Sequence, residues 1–412
     1  MEAPASSRGG GGPASLVQVV MTEVRHRRAV ILLAFVAFVS LGLPDGVLGV
    51  AWPSIRATFH QPISRIAWLL GAGTCGYLLS SFFSGQIIRA RGVGELLVGS
   101  CVLASGALAG FALAPAWVAL PAFGFIGGLA GGAIDAGINT FAADRFSARI
   151  VNWLHAFWGV GATLGPLLIT AVLAAHQPWR VGYGILAAGL GVLAVLFTLT
   201  RGWWQLGHDS AGDPAPATAR VGESLRQLTV VLHAALFLVY AGVESTAGQL
   251  LYSLFTEARG IAPPVAGIVV GAYWAALTSG RILFGQVATR VSRRSVVRIG
   301  TVLAPCAAGL LLCRDVPVIG MGGAVLLGFA LAPIFPTLIS LTPQRVGPYF
   351  APQAVGFQVA GAAVGSAVFP GLVGLLARRF SLEVLGVHLL AAALVLLALH
   401  ELGPWRRPRP PQ

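Results

Sequence analysis

The sequence has no lysine, and only 14 of its 412 residues are acidic. Charged residues of both signs make up 10% of the chain, against roughly 25% in an ordinary soluble domain. That scarcity excludes a normal water-facing surface. With 56% hydrophobic residues and a mean hydropathy of +0.81, the apolar side chains cannot all be enclosed in a core and must meet lipid. Cysteine is scarce too. Cys75, Cys101, Cys306 and Cys313 form no CxxC pair, so no disulfide framework or metal site is indicated. Apart from one central polar stretch the loops are short, and no nucleophile or metal constellation is present, which argues against an enzyme; no cofactor is implied.

What the chain does have is long apolar runs. A helix needs about 20 such residues to cross the hydrocarbon. Windows of that length predict twelve spans, near 29–50, 66–88, 95–114, 117–141, 153–174, 181–200, 228–254, 265–288, 296–312, 317–341, 354–376 and 385–400. The first run is too long for a signal peptide's apolar region and is expected to be retained. The fold class is therefore all-α integral membrane, twelve helices in two bundles of six.

The net charge of +13 resembles a nucleic-acid signal until the arginines are placed. Nineteen of the 27 fall in the tails and alternate loops on one side, seven in the loops on the other, and Arg281 lies inside a span. The positive-inside rule then puts both termini in the cytoplasm of an inner (plasma) membrane and leaves no case for nucleic acid.

The longest polar interruption runs from Arg201 to about Gln227 and contains His208, Asp209, Asp213, Pro214, Pro216 and Arg220. It divides the chain into a disordered tail (1–28), a six-helix bundle (29–200), a linker (201–227), a second bundle (228–400) and a short tail (401–412). The halves echo each other at an offset of 200: Gly42 with Gly242, Gly71-Ala72 with Gly271-Ala272, Gly85-Gln86 with Gly285-Gln286, and Val102-Leu103-Ala104 with Val302-Leu303-Ala304. Duplicated six-helix units place a substrate site between the halves near mid-membrane. Small-residue spacings (Gly124/Gly128/Gly132, Gly161/Gly165, Gly361/Gly365) predict close helix crossings. Pro333 and Pro336 predict a break in the tenth span, either lining a cavity or serving as a packing kink.

Asp45, Asp135 and Glu244 lie inside predicted spans. A carboxylate at the centre of a bilayer helix costs about 2.5–3.5 kcal/mol on insertion scales, so each needs a function or a partner. Desolvation favours the neutral acid, which makes them candidate proton carriers. Asp45, flanked by Pro44 and Gly46, could instead be a turn or capping acid. Asp135 and Asn139, four apart, share one helix face. His155 suits a proton relay or a structural hydrogen bond. Gln249 and Gln358 are amides that could read solute hydroxyls, and Trp158, Tyr273 and Trp274 are candidate stacking surfaces. Arg281 is read mainly as a structural residue that snorkels to the nearer surface; His233 and His388 are read as packing residues.

The connection after the second span reads Gly85-Gln86-Ile87-Ile88-Arg89-Ala90-Arg91-Gly92, and its partner reads Gly285-Gln286-Val287-Ala288-Thr289-Arg290-Val291-Ser292-Arg293-Arg294. Both resemble the loop signature of the major facilitator superfamily, with Arg89 and Thr289 standing where the signature has Asp. Within that superfamily, Leu43-Pro44-Asp45, Ile134-Asp135 through Asn139, Asn152-Trp153-Leu154-His155-Ala156-Phe157 and Ala332–Thr337 resemble the fucose permease family of sugar:proton symporters. The resemblance implies that Asp45 and Asp135 take part in proton coupling. Together these readings predict a monomeric carrier for a small polar solute, a monosaccharide first, using Asp45, Asp135 and Glu244 for the coupling proton. Asn139, His155, Trp158, Gln249, Tyr273, Trp274 and Gln358 would shape the site. Efflux of an amphipathic compound and coupling to sodium remain open.

Overall fold

The computed structural model describes residues 13–206, 219–287 and 290–403. Among them, twelve helices are long and apolar enough to cross a membrane. In the first half these are α1 (His26–Thr58), α2 (Ile63–Arg91), α3 (Val93–Leu113), α4 (Ala119–Arg145), α5 (Arg149–Ala174) and α6 (Trp179–Trp203). In the second they are α7 (Leu228–Ala258), α8 (Pro263–Gln286), α9 (Arg293–Leu311), α10 (Pro317–Val346), α11 (Ala351–Arg379) and α12 (Val384–Leu402). A short helix, Val221–Arg226, precedes α7. Side chains such as Leu32, Phe82, Val192, Leu199, Ile268 and Val318 are exposed on the outer surface of the bundle, as lipid-facing positions should be.

Each expected span is found, with shifted ends. The largest shift is at the start: the first helix is continuous from Pro13, inside the segment expected to be a disordered tail. Residues 1–12, most of the linker with His208, Asp209, Asp213, Pro214 and Pro216, Ala288 and Thr289, and residues 404–412 lie outside the described residues.

The two halves build the same pairings. In the first, α1 packs on α5, α2 on α4 and α3 on α6; in the second, α7 packs on α11, α8 on α10 and α9 on α12. Glycines make the tight crossings. A Cβ on Gly42 would overlap the Trp158 carbonyl, and on Gly161 that of Val39; Gly365 meets the Leu238 carbonyl and Gly242 the Phe369 ring. Gly128 rests on the backbone of Gly73, and 200 residues later Gly328 rests on the backbone of Tyr273. Lipid offers no hydrophobic drive for one apolar helix to leave it for another, so contact at backbone distance supplies the attraction.

The loop signature also has a structural basis. Gly92, at φ +87, closes α2 in a conformation that side chains rarely adopt. At the equivalent place Ser292 caps α9 instead, accepting the Ser295 N–H at 3.1 Å. In α10 the helix breaks at Ala332-Pro333. The break is a packing kink: Ala332 is buried against Gly280, and Pro333 against Gly300.

The halves meet along three seams, α1 with α7, α5 with α8, and α2 with α11. Gly49 abuts Gly248 and Gln249; Gly271 abuts Leu167 and Gly267 abuts Thr170; Gly371 abuts Ala67 and Gly374 abuts Ser64. All lie toward the face away from the start of α1 and the end of α12, here called the distal face. An ion pair between Arg56 and Glu257 joins α1 to α7 there. These contacts close the molecule distally, and the α5–α8 seam continues past mid-depth, where Gly159 abuts Thr278.

Candidate functional site

At mid-depth the helices carry polar groups that their apolar surroundings cannot satisfy. On α4, Asp135 is held on both oxygens: Tyr77 of α2 donates its hydroxyl to Oδ2 at 2.6 Å, and Asn139 donates Nδ2 to Oδ1 at 2.8 Å. The four-residue spacing anticipated the second bond. Tyr77 itself was missed, because a tyrosine is ordinarily read as an interfacial anchor.

On α1, the helix runs unbroken through Pro44, so Asp45 is not a turn or capping acid. Its carboxylate is exposed, yet it faces Glu244 and Arg281 of the other half, and the Trp158 indole is turned toward it. Its main-chain oxygen accepts Nε2 of Gln249 at 2.8 Å, a bond that ties α1 to α7 across the seam. His155 of α5 is also exposed, edge-on to Phe38, with Asp135 and Arg281 as its charged neighbours. The space onto which Asp45 and His155 open lies between the halves.

On the opposite wall, Glu244 of α7 accepts the Tyr240 hydroxyl and pairs with Nη2 of Arg281 at 3.3 Å. The Arg281 guanidinium stacks over the Trp158 ring, 5.0 Å from its centroid. That arginine therefore does not snorkel: it sits between the halves, paired on its own side and stacked on the other. A cation held over an indole gains about 0.5–2 kcal/mol, more as it is desolvated. Its position inside a span was the available signal; the surface-reaching reading gave that signal too little weight.

Three other expected site residues are placed elsewhere or turned away. Tyr273 is fully buried beneath Gly328 and donates its hydroxyl to the Glu244 carbonyl at 2.9 Å, so its ring offers no stacking face. Trp274 is buried in the seam against Gly248, edge-on to Trp158 at 6.1 Å, and its indole N–H finds no partner among the described residues. Gln358 lies inside the second bundle, bonded to His233 at 2.6 Å and Thr342 at 2.9 Å. It reads a neighbouring histidine, not a solute, and His233 is a network member as well as a packing residue. These three are buried, as is Gln249, whose amide is spent on the Asp45 main chain, and apolar periodicity in a membrane helix does not report burial.

Asp45, Asp135, Asn139, His155, Trp158, Glu244 and Gln249 thus come together, joined by Tyr77, Tyr240 and Arg281. Asp45 and Glu244 face one guanidinium while Asp135 is held by Tyr77 and Asn139, the first half supplying one wall and the second the other. Among the described residues, no cluster of three or more His, Cys, Asp or Glu could hold a metal ion.

Residues 30–242 and 232–412 match the family model described as Major Facilitator Superfamily. A Bacillus subtilis protein named glucose/mannose transporter GlcP is 21% identical over 84% of this chain and 88% of its own. A second B. subtilis protein, the MFS-type transporter YfkL, is 24% identical over the same shares. Among solved structures, the nucleoside transporter NupG superposes with a TM-score of 0.75 at 12% identity, covering 89% of this chain and 98% of its own. An inward-facing, unoccupied bacterial homologue of the lysosomal transporter Spinster reaches 0.76 at 14% identity, covering 92% and 96%. At such identities the superpositions show a shared fold.

Proposed function

Since the chain belongs to the Major Facilitator Superfamily, a family of multi-pass membrane transporters, we propose that it carries a small polyhydroxy solute, a monosaccharide first, together with protons. The resemblance to the fucose permease family and the relative named as a glucose/mannose transporter support a hexose; the fold shared with a nucleoside transporter suits a ribosyl group as well. Both termini are cytoplasmic in this reading, which makes the distally closed molecule an inward-facing state of a plasma-membrane symporter.

One observation carries the coupling. Asp45 is the exposed carboxylate of the central group and has no ion-pair partner among the described residues, while Asp135 and Glu244 are each held by two side chains. In the crevice Asp45 takes up or releases a proton as access alternates. Its link to α7 through Gln249 and its position before Arg281 tie that event to the seam between the halves. Asp135, Asn139 and His155 present acceptors and donors to hydroxyl groups, and Trp158 supplies an apolar wall.

The test is uptake into proteoliposomes of a panel of hexoses, pentoses and nucleosides, under an imposed pH gradient and, separately, a sodium gradient at fixed pH. Accumulation of a hexose driven by the pH gradient alone is the expected result. Accumulation driven only by sodium, or pH-driven expulsion of the solute, would reject the mechanism. Asp45→Asn and Asp135→Asn are each expected to abolish gradient-driven accumulation; at least Asp45→Asn should retain solute exchange.

A further inference from the structure

The arginines of the distal face raise a separate question. Cationic residues are disfavoured on the side away from the termini, so each one there needs local compensation. Most have it. Arg56 pairs with Glu257; Arg180 donates to the Ala112 and Ala114 carbonyls at 2.7 Å each; Arg259 and Arg314 share Glu383. Arg379 has no acidic partner among the described residues, and neither do Arg65 and Arg378. They come from different halves, Arg65 from the start of α2 and Arg378 from the end of α11, and both line one groove of about 610 Å³ over the α2–α11 seam.

The groove is amphipathic in the sense that lipid is. Its charged groups lie at the helix ends, at headgroup level. Below them its wall is apolar, with Trp68, Val368, Leu372 and Leu375 exposed to the bilayer and Gly371 packed on Ala67 at the floor. Arg65 stacks on Trp68 at 4.7 Å, which fixes that guanidinium over the groove's edge while leaving its N–H donors free to bind. A small soluble anion would use only the rim. A neutral lipid would leave two cations uncompensated.

We propose that this groove binds an anionic phospholipid of the distal leaflet, its phosphate between Arg65 and Arg378 and an acyl chain along Val368, Leu372 and Leu375. Because the two arginines belong to different halves, the occupant bridges the seam and favours the distally closed arrangement. Each basic residue near a membrane surface contributes on the order of 1 kcal/mol toward an anionic lipid. Removing both therefore lowers apparent affinity roughly tenfold to thirtyfold.

The experiment uses the full chain in detergent, titrated with phosphatidylglycerol, phosphatidylcholine or inorganic phosphate, and follows the thermal unfolding midpoint. Phosphatidylglycerol is expected to raise it for the native chain and for Arg89→Ala/Arg91→Ala on the opposite face, but to act at least tenfold more weakly on Arg65→Ala/Arg378→Ala. The other two additives should do little. An equal response of both double variants, or an equal response to phosphatidylcholine, overturns the proposal; so does reproduction of the shift by phosphate alone, which would mean a simple anion site. If Arg65→Ala/Arg378→Ala does not fold, the comparison is made with Leu372→Glu, which leaves both arginines but puts a carboxylate in the chain path. That variant is expected to lose the phosphatidylglycerol response, and an unchanged response overturns the proposal.

Discussion

Arg281 is the central cation, and its neighbours set what its loss does. Truncation to Ala leaves Glu244 part-buried without its guanidinium; breaking a fully buried pair costs about 3–5 kcal/mol, and the partial exposure here lowers that. The expected outcome for Arg281→Ala is a lower unfolding midpoint together with loss of gradient-driven accumulation. The double variant Glu244→Gln/Arg281→Gln removes both charges and should recover most of the midpoint but none of the accumulation; recovery of both would assign the pair to stability alone. Tyr77→Phe deletes one of the two bonds to Asp135, and its cost is expected near 1–2 kcal/mol by the same unfolding measurement. The sequence made the acids of this site legible, since a carboxylate in an apolar span has few explanations. It hid their partners. Tyrosine and tryptophan belong equally to membrane interfaces, helix seams and binding walls, so Tyr77 and Tyr240 went unnoticed while Tyr273 and Trp274 were overvalued.

At the scale of the helix, span positions follow from apolar length alone, which is why all twelve could be read before their contacts were known. Their pairing was partly legible as well, because glycine spacing marks where one backbone rests on another. Gly161→Leu places a side chain against the Val39 carbonyl, and Gly128→Leu against Gly73. With backbone on the other side, neither neighbour can yield by a rotamer change, so a loss of about 3 kcal/mol or more is expected, read as poor recovery of folded protein. Gly184→Ala, where a Cβ meets nothing within 4 Å, is the control and should be neutral. The helix ends were less legible: no periodicity announces that α7 closes in a wider turn at Leu254–Ala258. Next to that turn, Arg259 grips Glu383 with two bonds, at 2.9 and 2.8 Å. This bonding holds the Glu383 carboxyl below its ordinary range. A depressed acid stabilises the fold fully above its unfolded value of about 4.3 and loses that contribution as pH falls through the lower folded value. The midpoint difference between native chain and Glu383→Gln should therefore be largest near neutrality and shrink in acid.

For the whole molecule, the distal closure rests on three helix seams and an exposed ion pair between Arg56 and Glu257. Surface pairs are worth about 0–1 kcal/mol, so Arg56→Glu or Glu257→Arg should shift the balance of the two access states only a few-fold. The charge-swapped double variant should restore it, as read by labelling of a cysteine placed at Asp45. The matched pairings of the two bundles carry another consequence. All but α8, which packs at least as extensively on α5 of the other half, find their main partner among their own six, so neither set depends on the peptide link between them for most of its internal order. Two separate genes, one ending after α6 and one beginning before α7, should yield polypeptides that find each other in the bilayer. Co-purification of the untagged fragment with the tagged one, at a stoichiometry near one to one, is the outcome to look for.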